Sequence, residues 1–206
     1  MTTEIAPDRH VKRAHAFAHG KEANMKKTVL TFGLISGAIS SLMMMATVPF
    51  AHRIGNNQAL VLGYTTIVLS FLLVFFGIRS YRDNAANGQI TFSKAFAVGI
   101  CITLISCIFY VVTWEIIYFN FMPHFMDEYG AHMVEKLRAS GASAAAVQAK
   151  VLEMKTLREH YANPFFNAAM TFIEPFPVGL VITLLSAAIL RKKPQSLTSQ
   201  SPVPAS

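Results

Sequence analysis

The chain has 206 residues, of which 53% are hydrophobic and only 14% are charged, whereas soluble domains carry about 25% charged residues. Its net charge of +7 lies outside the apolar blocks, which favours an anionic membrane surface over a nucleic-acid partner. These figures exclude a soluble enzyme with a single core and a disordered nucleic-acid-binding tail. They predict an integral membrane protein.

Four apolar segments are each long enough to cross a hydrocarbon layer of about 30 Å as helices. We predict an all-α membrane protein in which residues 25–193 form one four-span domain. The transmembrane helices are expected at residues 28–50, 58–78, 95–122 and 165–190. The first span is too long for the apolar core of a secretory signal peptide, which is about 7–15 residues.

The segments outside the spans predict two tails and one helical hairpin. Residues 1–24 are polar and show no apolar period, so we expect a disordered cytoplasmic arm, and residues 194–206 are expected to form a disordered tail. Residues 123–164, between the third and fourth spans, predict an extramembrane helical hairpin, because Gly141 ends one helix and Ser143 can cap the next. The second of these helices carries an apolar stripe, formed by Val147, Val151, Met154, Leu157 and Tyr161.

The distribution of Lys and Arg predicts the orientation. Twelve of the 18 basic residues lie in the N-terminal arm, the 79–94 loop and the C-terminal end, and six lie on the other side. Cytoplasmic segments carry the excess of basic residues. Both termini are therefore expected in the cytoplasm, with the hairpin on the outer side of the membrane.

A charged group marks the cytoplasmic end of the second span. Arg79 and Arg82 lie one turn apart, and Asp83 is within reach of Arg79. The group predicts an anchor that complements the helix C-terminus and anionic headgroups. Docking of a cytoplasmic partner is the alternative.

Two carboxyl groups, those of Glu115 and Glu174, lie inside apolar spans, at a cost of roughly 2.5–3.5 kcal/mol each on insertion scales. No Lys or Arg lies within the spans, so each group is either protonated or in contact with water. Glu115 lies beside Trp114 and close to Tyr118, two residues typical of an interfacial belt. We therefore expect that the Glu115 carboxyl group reaches the headgroup region. The alternative is that it shares a proton with the carboxyl group of Glu174.

Glu174 shares one helix face with Asn167 and Thr171, at spacings of three and four. Pro175 and Pro177 follow it, and each proline frees a backbone carbonyl in the preceding turn and kinks the helix. This combination predicts a candidate polar site inside the membrane. The site is either a proton or cation site beside freed carbonyls, or a neutral carboxyl that donates a hydrogen bond to a neighbouring helix.

Small residues recur along the first span. Gly33, Gly37 and Ser41 repeat every four residues, which permits close approach of another helix. This pattern predicts packing within the bundle, and a homo-oligomer is the alternative.

The common signatures of enzymes are absent from the sequence. There is no glycine-rich phosphate loop, G-x-S-x-G elbow or H-E-x-x-H motif, and the seven histidines lack the spacing of metal ligands. We therefore expect no enzyme, no catalytic residue, no cofactor, no metal ion and no nucleic-acid partner.

Several strings of residues occur together in one known family. They are Lys26-Lys27 with Gly33–Gly37, then Gly77–Asp83, Gly88–Phe92, Ala139–Ser143 and Thr171–Leu180. With them, residues 25–193 resemble the bacterial membrane proteins catalogued as domain of unknown function 4199, which makes Met25 the expected natural start. The resemblance implies four spans and no assigned activity. Ala144 to Ala146 stand where the family tends to carry acidic residues that complete a capping box after Ser143.

Two hypotheses about function follow. The first is a non-enzymatic accessory or assembly subunit that lies in the lipid bilayer and binds a protein partner through the outer hairpin. The second is a small proton- or cation-coupled transport component that uses Glu174. The second predicts a polar cavity lined by Asn167, Thr171 and Glu174.

Overall fold

The computed structural model of the protein describes residues 9–48 and 56–192, with side chains for residues 22–48, 58 and 61–192. The helices are α1 (Arg9–Thr47), α2 (Asn56–Ala85), α3 (Phe92–Phe121), α4 (Phe125–Ala139), α5 (Ala144–Tyr161), α6 (Pro164–Ile173) and α7 (Pro175–Leu190). No β-strand occurs in the described part of the chain. The prediction of an all-α protein is therefore confirmed.

Four helical segments are long and apolar enough to cross a membrane. They are Glu22–Thr47 in α1, Val61–Ala85 in α2, Phe92–Phe121 in α3 and Pro164–Leu190, which joins α6 and α7. The four-span fold is confirmed, and the protein is a multi-pass membrane protein.

The spans form a bundle in which α3 is the most connected helix. α1 packs against α2 and α3, α7 packs against the same two helices, and α6 contacts α3, α5 and α7. At the other end from α4 and α5, Ile90 and Lys192 exchange backbone hydrogen bonds of 3.1 and 2.9 Å in an isolated antiparallel bridge. This bridge joins the α2–α3 loop to the end of α7.

Two boundaries differ from the sequence prediction. α1 is helical from Arg9, whereas residues 1–24 were expected to be disordered; the Ala, Lys, Arg and Glu residues of this segment favour helix. α2 extends to Ala85, seven residues beyond the expected end at residue 78. No helix breaker occurs before Asn87 and Gly88, whose φ angles of 53° and 75° reverse the chain.

Residues 1–8 of the predicted arm and the tail at 194–206 lie outside the described residues. Residues 123–164 contain α4 and α5, which pack against each other. Ser143 caps α5, since its Oγ accepts a hydrogen bond from the Ala146 backbone N–H at 3.3 Å.

Hydroxyl groups link the helices inside the bundle. The Ser36 hydroxyl donates to the Ser70 carbonyl at 2.9 Å, and the Thr103 and Thr183 hydroxyls lie 2.9 Å apart. Hydrocarbon tails are as apolar as leucine, so membrane helices associate through close packing and such interhelical hydrogen bonds rather than through water exclusion. The polar interior therefore contributes to the specific pairing of the helices.

The small residues of α1 pack against α3. A Cβ atom built on Gly37 would lie 2.7 Å from Cβ and Cγ of Phe109, and one on Gly33 would lie 2.9 Å from Cβ of Ile105. One turn further, the Ser41 hydroxyl accepts a hydrogen bond of 2.7 Å from Thr113. The stripe lets α1 approach α3 closely within one chain.

Replacement of Gly37 by Ala should destabilise the protein by about 1–3 kcal/mol, because the new methyl group overlaps Phe109 at atoms close to its backbone. Thermal unfolding in detergent measures this as a lower melting temperature. Gly63→Ala is the matched control, because nothing lies within 4 Å of a Cβ at Gly63 and alanine favours helix. Equal melting temperatures for the two variants would contradict this description of the α1–α3 contact.

Candidate functional site

The fourth span is interrupted at Glu174. α6 ends at Ile173 and α7 begins with Pro175, which is buried and cannot donate a backbone hydrogen bond to the preceding turn. Glu174 follows the ten residues of α6, which is about 15 Å along the fourth span at 1.5 Å per residue. The carboxyl group therefore lies inside the span Pro164–Leu190 and not at either of its ends.

Glu174 binds Tyr110 of α3. The Tyr110 hydroxyl donates a hydrogen bond of 3.0 Å to Oε2 of Glu174, while the Glu174 side chain as a whole is exposed on the bundle surface. Among the described residues no Lys, Arg or His side chain forms an ion pair with Glu174. An intramembrane carboxyl group is thus held by one phenol and is otherwise open to the outside of the bundle.

Asn167 and Thr171, on the same face, are fully enclosed. Oδ1 of Asn167 accepts hydrogen bonds from Nε1 of Trp114 at 3.0 Å and from Oγ1 of Thr171 at 3.2 Å. Nδ2 of Asn167 donates to the Tyr161 carbonyl at 3.4 Å. Asn167 is 0% exposed, and its amide joins α3, α5 and α6. These two residues therefore fix α6 in place.

Aromatic rings hold α4 and α5 on this network. Trp114 packs edge-on against Phe125 of α4, with ring centroids 5.1 Å apart. Tyr161 at the end of α5 packs against Tyr118 at 6.4 Å and Phe166 at 5.6 Å. Burial raises the pKa of the Tyr161 phenol above its ordinary value, so this ring is neutral near pH 7. Trp114 and Tyr118 point into the protein, which differs from the interfacial belt expected for them.

Glu115 does not join the network. Its Oε1 is buried without a hydrogen-bond partner in the described structure, and no hydrogen bond between Glu115 and Glu174 occurs there. The side chain is half-buried. Of the two intramembrane carboxyl groups, only that of Glu174 accepts a hydrogen bond from another side chain in the described structure.

An open groove lies on the surface of α2. α2 packs against α7 but makes little contact with α6. Tyr64 of α2 is 46% exposed. An open apolar groove of about 460 Å³ runs along this part of α2, lined by Val61, Tyr64, Thr65, Val68 and Leu69.

The charged group at the opposite end of the bundle is compact. Nε of Arg82 lies 2.7 Å from Oδ1 of Asp83, and Nε of Arg79 lies 3.7 Å from its Oδ2. Asp83 thus lies between both arginines, whereas the sequence indicated Arg79 alone. These side chains lie in the last two turns of α2, where positive charge complements the helix C-terminus.

Comparison with known proteins assigns the family. A family model described as "Protein of unknown function (DUF4199)" matches residues 31–192. The chain belongs to this family. No curated protein and no solved structure matches the chain. The match begins within the first span of this DUF4199 protein and covers the other three spans together with α4 and α5.

Two residues of the site, Tyr110 and Trp114, were not assigned to it from the sequence. Both lie on the interior face of α3, where Thr103, Ser106, Tyr110 and Trp114 follow one another at spacings of three, four and four. A polar stripe at helical spacing in an otherwise apolar span is the signal that could have identified them. In the part of the chain with described side chains, no group of three or more His, Cys, Asp or Glu residues is placed to hold a metal ion.

Replacement of Asn167 by Ala should lower the free energy of unfolding by about 1–3 kcal/mol, because the Trp114 and Thr171 donors lose their acceptor inside the protein. Thermal unfolding in detergent checks this. Asn120→Ala is the matched control, since Asn120 is exposed and only donates to the Ile116 carbonyl of its own helix. A stable Asn167→Ala variant would mean that the network does not hold α6.

Proposed function

We propose that this DUF4199 protein is a small proton- or cation-coupled transport component of the bacterial inner membrane that uses the Glu174 carboxyl group. The observation that carries the proposal is the half-satisfied carboxyl group: Tyr110 donates to Oε2 at 3.0 Å, and the Glu174 side chain is otherwise exposed on the surface of the bundle. A carboxyl group in hydrocarbon is costly. Asn167, two turns earlier on the same helix face, has the buried and saturated surroundings that a purely structural polar group requires.

The path from Glu174 into the bundle also supports this proposal. Tyr110 lies on the polar stripe of α3, and Ser106 and Thr103 follow it toward the α2–α3 loop. Thr103 reaches Thr183 of α7 at 2.9 Å. Hydroxyl groups both donate and accept hydrogen bonds, so the column places polar groups between the carboxyl group and the interior of the bundle, although the Ser106 hydroxyl donates to the Ile102 carbonyl at 3.0 Å rather than to its neighbours in the column.

The orientation belongs to the same proposal. With both termini in the cytoplasm, α4 and α5 lie on the outer side, and Tyr161 stands between that side and Glu174. The 12 basic residues of the arm, the 79–94 loop and the C-terminal end support this orientation.

One observation supports the second candidate function, that of an accessory or assembly subunit. The α5 stripe that suggested a partner surface is partly occupied, since Met154 is buried against Gly130 of α4 and Tyr161 packs against Tyr118. Leu152, however, is 65% exposed in a groove with Ala149, Thr156 and Leu157. A photo-crosslinker at Leu152 should then capture a defined partner in native membranes, and the absence of any adduct would count against this function.

The transport proposal predicts that Glu174→Gln abolishes proton flux into liposomes. The full chain is reconstituted with a pH-sensitive dye inside, and acidification is followed after a membrane potential is imposed. Wild-type protein should acidify the lumen, and Glu174→Gln should fall to the rate of empty liposomes, because an amide cannot carry a proton. Gln retains an acceptor oxygen for Tyr110, so the fold should survive.

Glu115→Gln is the control for this experiment, because it removes the other intramembrane carboxyl group outside the network. Its flux should match that of wild type. Equal flux from wild type and Glu174→Gln, or loss of flux only in Glu115→Gln, contradicts the proposal.

A further inference from the structure

One exposed face of the fourth span carries a carboxyl group among apolar side chains. Met170, Glu174, Pro177, Val181 and Leu185 follow one another at spacings of four, three, four and four, and all five are exposed. Exposed apolar side chains are ordinary on a span, because lipid tails are equally apolar and cover them. Lipid tails cannot form hydrogen bonds with a carboxyl group, so this Glu174 face calls for a polar partner.

The hydrogen bonds within the chain use only half of this carboxyl group. Tyr110 donates to Oε2 at 3.0 Å, and within the described residues no hydrogen bond reaches Oε1 of Glu174. Two exposed hydroxyl groups on other spans differ in this respect, since Thr47 and Thr65 donate to carbonyls of their own helices at 2.8 and 2.7 Å. The Oε1 atom is therefore left for a neighbouring molecule.

We propose that the Glu174 face is the interface of a homodimer, in which the Glu174 carboxyl groups of two copies pair inside the membrane. The inference goes beyond the proposed function and needs no proton flux, because it requires only the protonated carboxyl group. Gly33 and Gly37, whose spacing suggested a homo-oligomer, are covered by α3 within the chain. The Glu174 face replaces them as the surface that meets a second copy.

Hydrogen-bond complementarity selects a second copy as the partner. A protonated carboxyl group has one O–H donor and keeps acceptor capacity, so it complements another group of its own kind. Tyr110 donates to Oε2, which leaves the proton on Oε1. In the pair, the Oε1 hydroxyl of each copy donates to Oε2 of the other, and Oε2 has a second lone pair for this bond. Both oxygens of both copies are then satisfied, and no charge is buried.

The symmetry of a membrane dimer brings the two groups to the same depth. Copies inserted with one orientation are related by a two-fold axis along the membrane normal, and a residue near such an axis meets its own copy. The distribution of the basic residues, 12 on one side of the spans and six on the other, favours a single orientation. Glu174 therefore lies level with Glu174 of the second copy.

The carboxyl pair is a reversible contact. Polar side chains stabilise pairs of membrane helices only modestly, because the separated helices also find partners in the membrane. The two copies therefore separate and re-associate. The carboxyl group stays accessible to protons and to small reagents in the separated state.

The first test measures dimerisation of the full chain in detergent by sedimentation equilibrium, and native mass spectrometry counts the chains. Wild type should form reversible dimers. Glu174→Leu should weaken dimerisation at least about tenfold, because the interhelical hydrogen bonds are lost. Glu174→Gln should dimerise within about threefold of wild type, because an amide also donates and accepts. Glu115→Leu, which removes the other intramembrane carboxyl group, is the matched control and should dimerise as wild type does.

The second test leaves Glu174 in place, so it remains decisive if Glu174→Leu fails to fold. Cys101 and Cys107 are replaced by Ala, and one cysteine is introduced at Met170, one turn before Glu174 on its face, or at Leu42, on the exposed side of α1. A disulfide requires Cα atoms within about 7 Å of each other. Oxidation of native membranes should therefore crosslink two copies through Met170→Cys and not through Leu42→Cys.

The inference is overturned if wild type is monomeric, if Glu174→Leu dimerises as wild type does, or if Leu42→Cys crosslinks as readily as Met170→Cys. A complex with a different protein in place of the second copy would also overturn it. Dimers without proton flux would remove the proposed function and keep the carboxyl pair. Proton flux from a monomer would do the reverse.

Discussion

The structure depends on one constraint: within hydrocarbon an unpaired polar group is costly, so most polar groups find a hydrogen-bond partner inside the protein. α3 meets this constraint for most of the bundle. Its interior face carries Thr103, Ser106, Tyr110 and Trp114, and these side chains reach α1, α6 and α7. Because hydrogen bonds and small-residue contacts replace the hydrophobic effect between membrane helices, the polar stripe of α3 determines which helices become its neighbours.

The prolines after Glu174 divide the polar groups of the fourth span into two kinds. Before the break, Asn167 is 0% exposed and saturated by Trp114, Thr171 and the Tyr161 carbonyl. At the break, Glu174 accepts one hydrogen bond from Tyr110 and is exposed on the surface of the bundle. The same membrane span therefore contains a structural amide, that of Asn167, and a carboxyl group that can change its protonation state, that of Glu174. The amide also links α5 to the network, so α4 and α5 are positioned by the residues next to the candidate site.

Part of this arrangement could be predicted from the sequence. Hydropathy gives the four spans, the spacing of Asn167, Thr171 and Glu174 gives a shared face, and Ser143 identifies the start of α5. The partners of that face could not be predicted, because one sequence does not give the rotation of α3 that directs Tyr110 and Trp114 inward. The start of α1 and the end of α2 differ from the sequence prediction. Hydropathy marks where a membrane span ends, whereas a helix continues into water until a residue such as Gly88 stops it.

The central claim is that the Glu174 carboxyl is accessible and the Glu115 carboxyl is not part of the same site. Labelling of native membranes with dicyclohexylcarbodiimide, which reacts with protonated carboxyl groups in apolar surroundings, tests this claim directly when the modified residue is mapped by mass spectrometry. The account predicts modification at Glu174 and little at Glu115. Modification at Glu115 with an unmodified Glu174, or no modification at either residue, would contradict it.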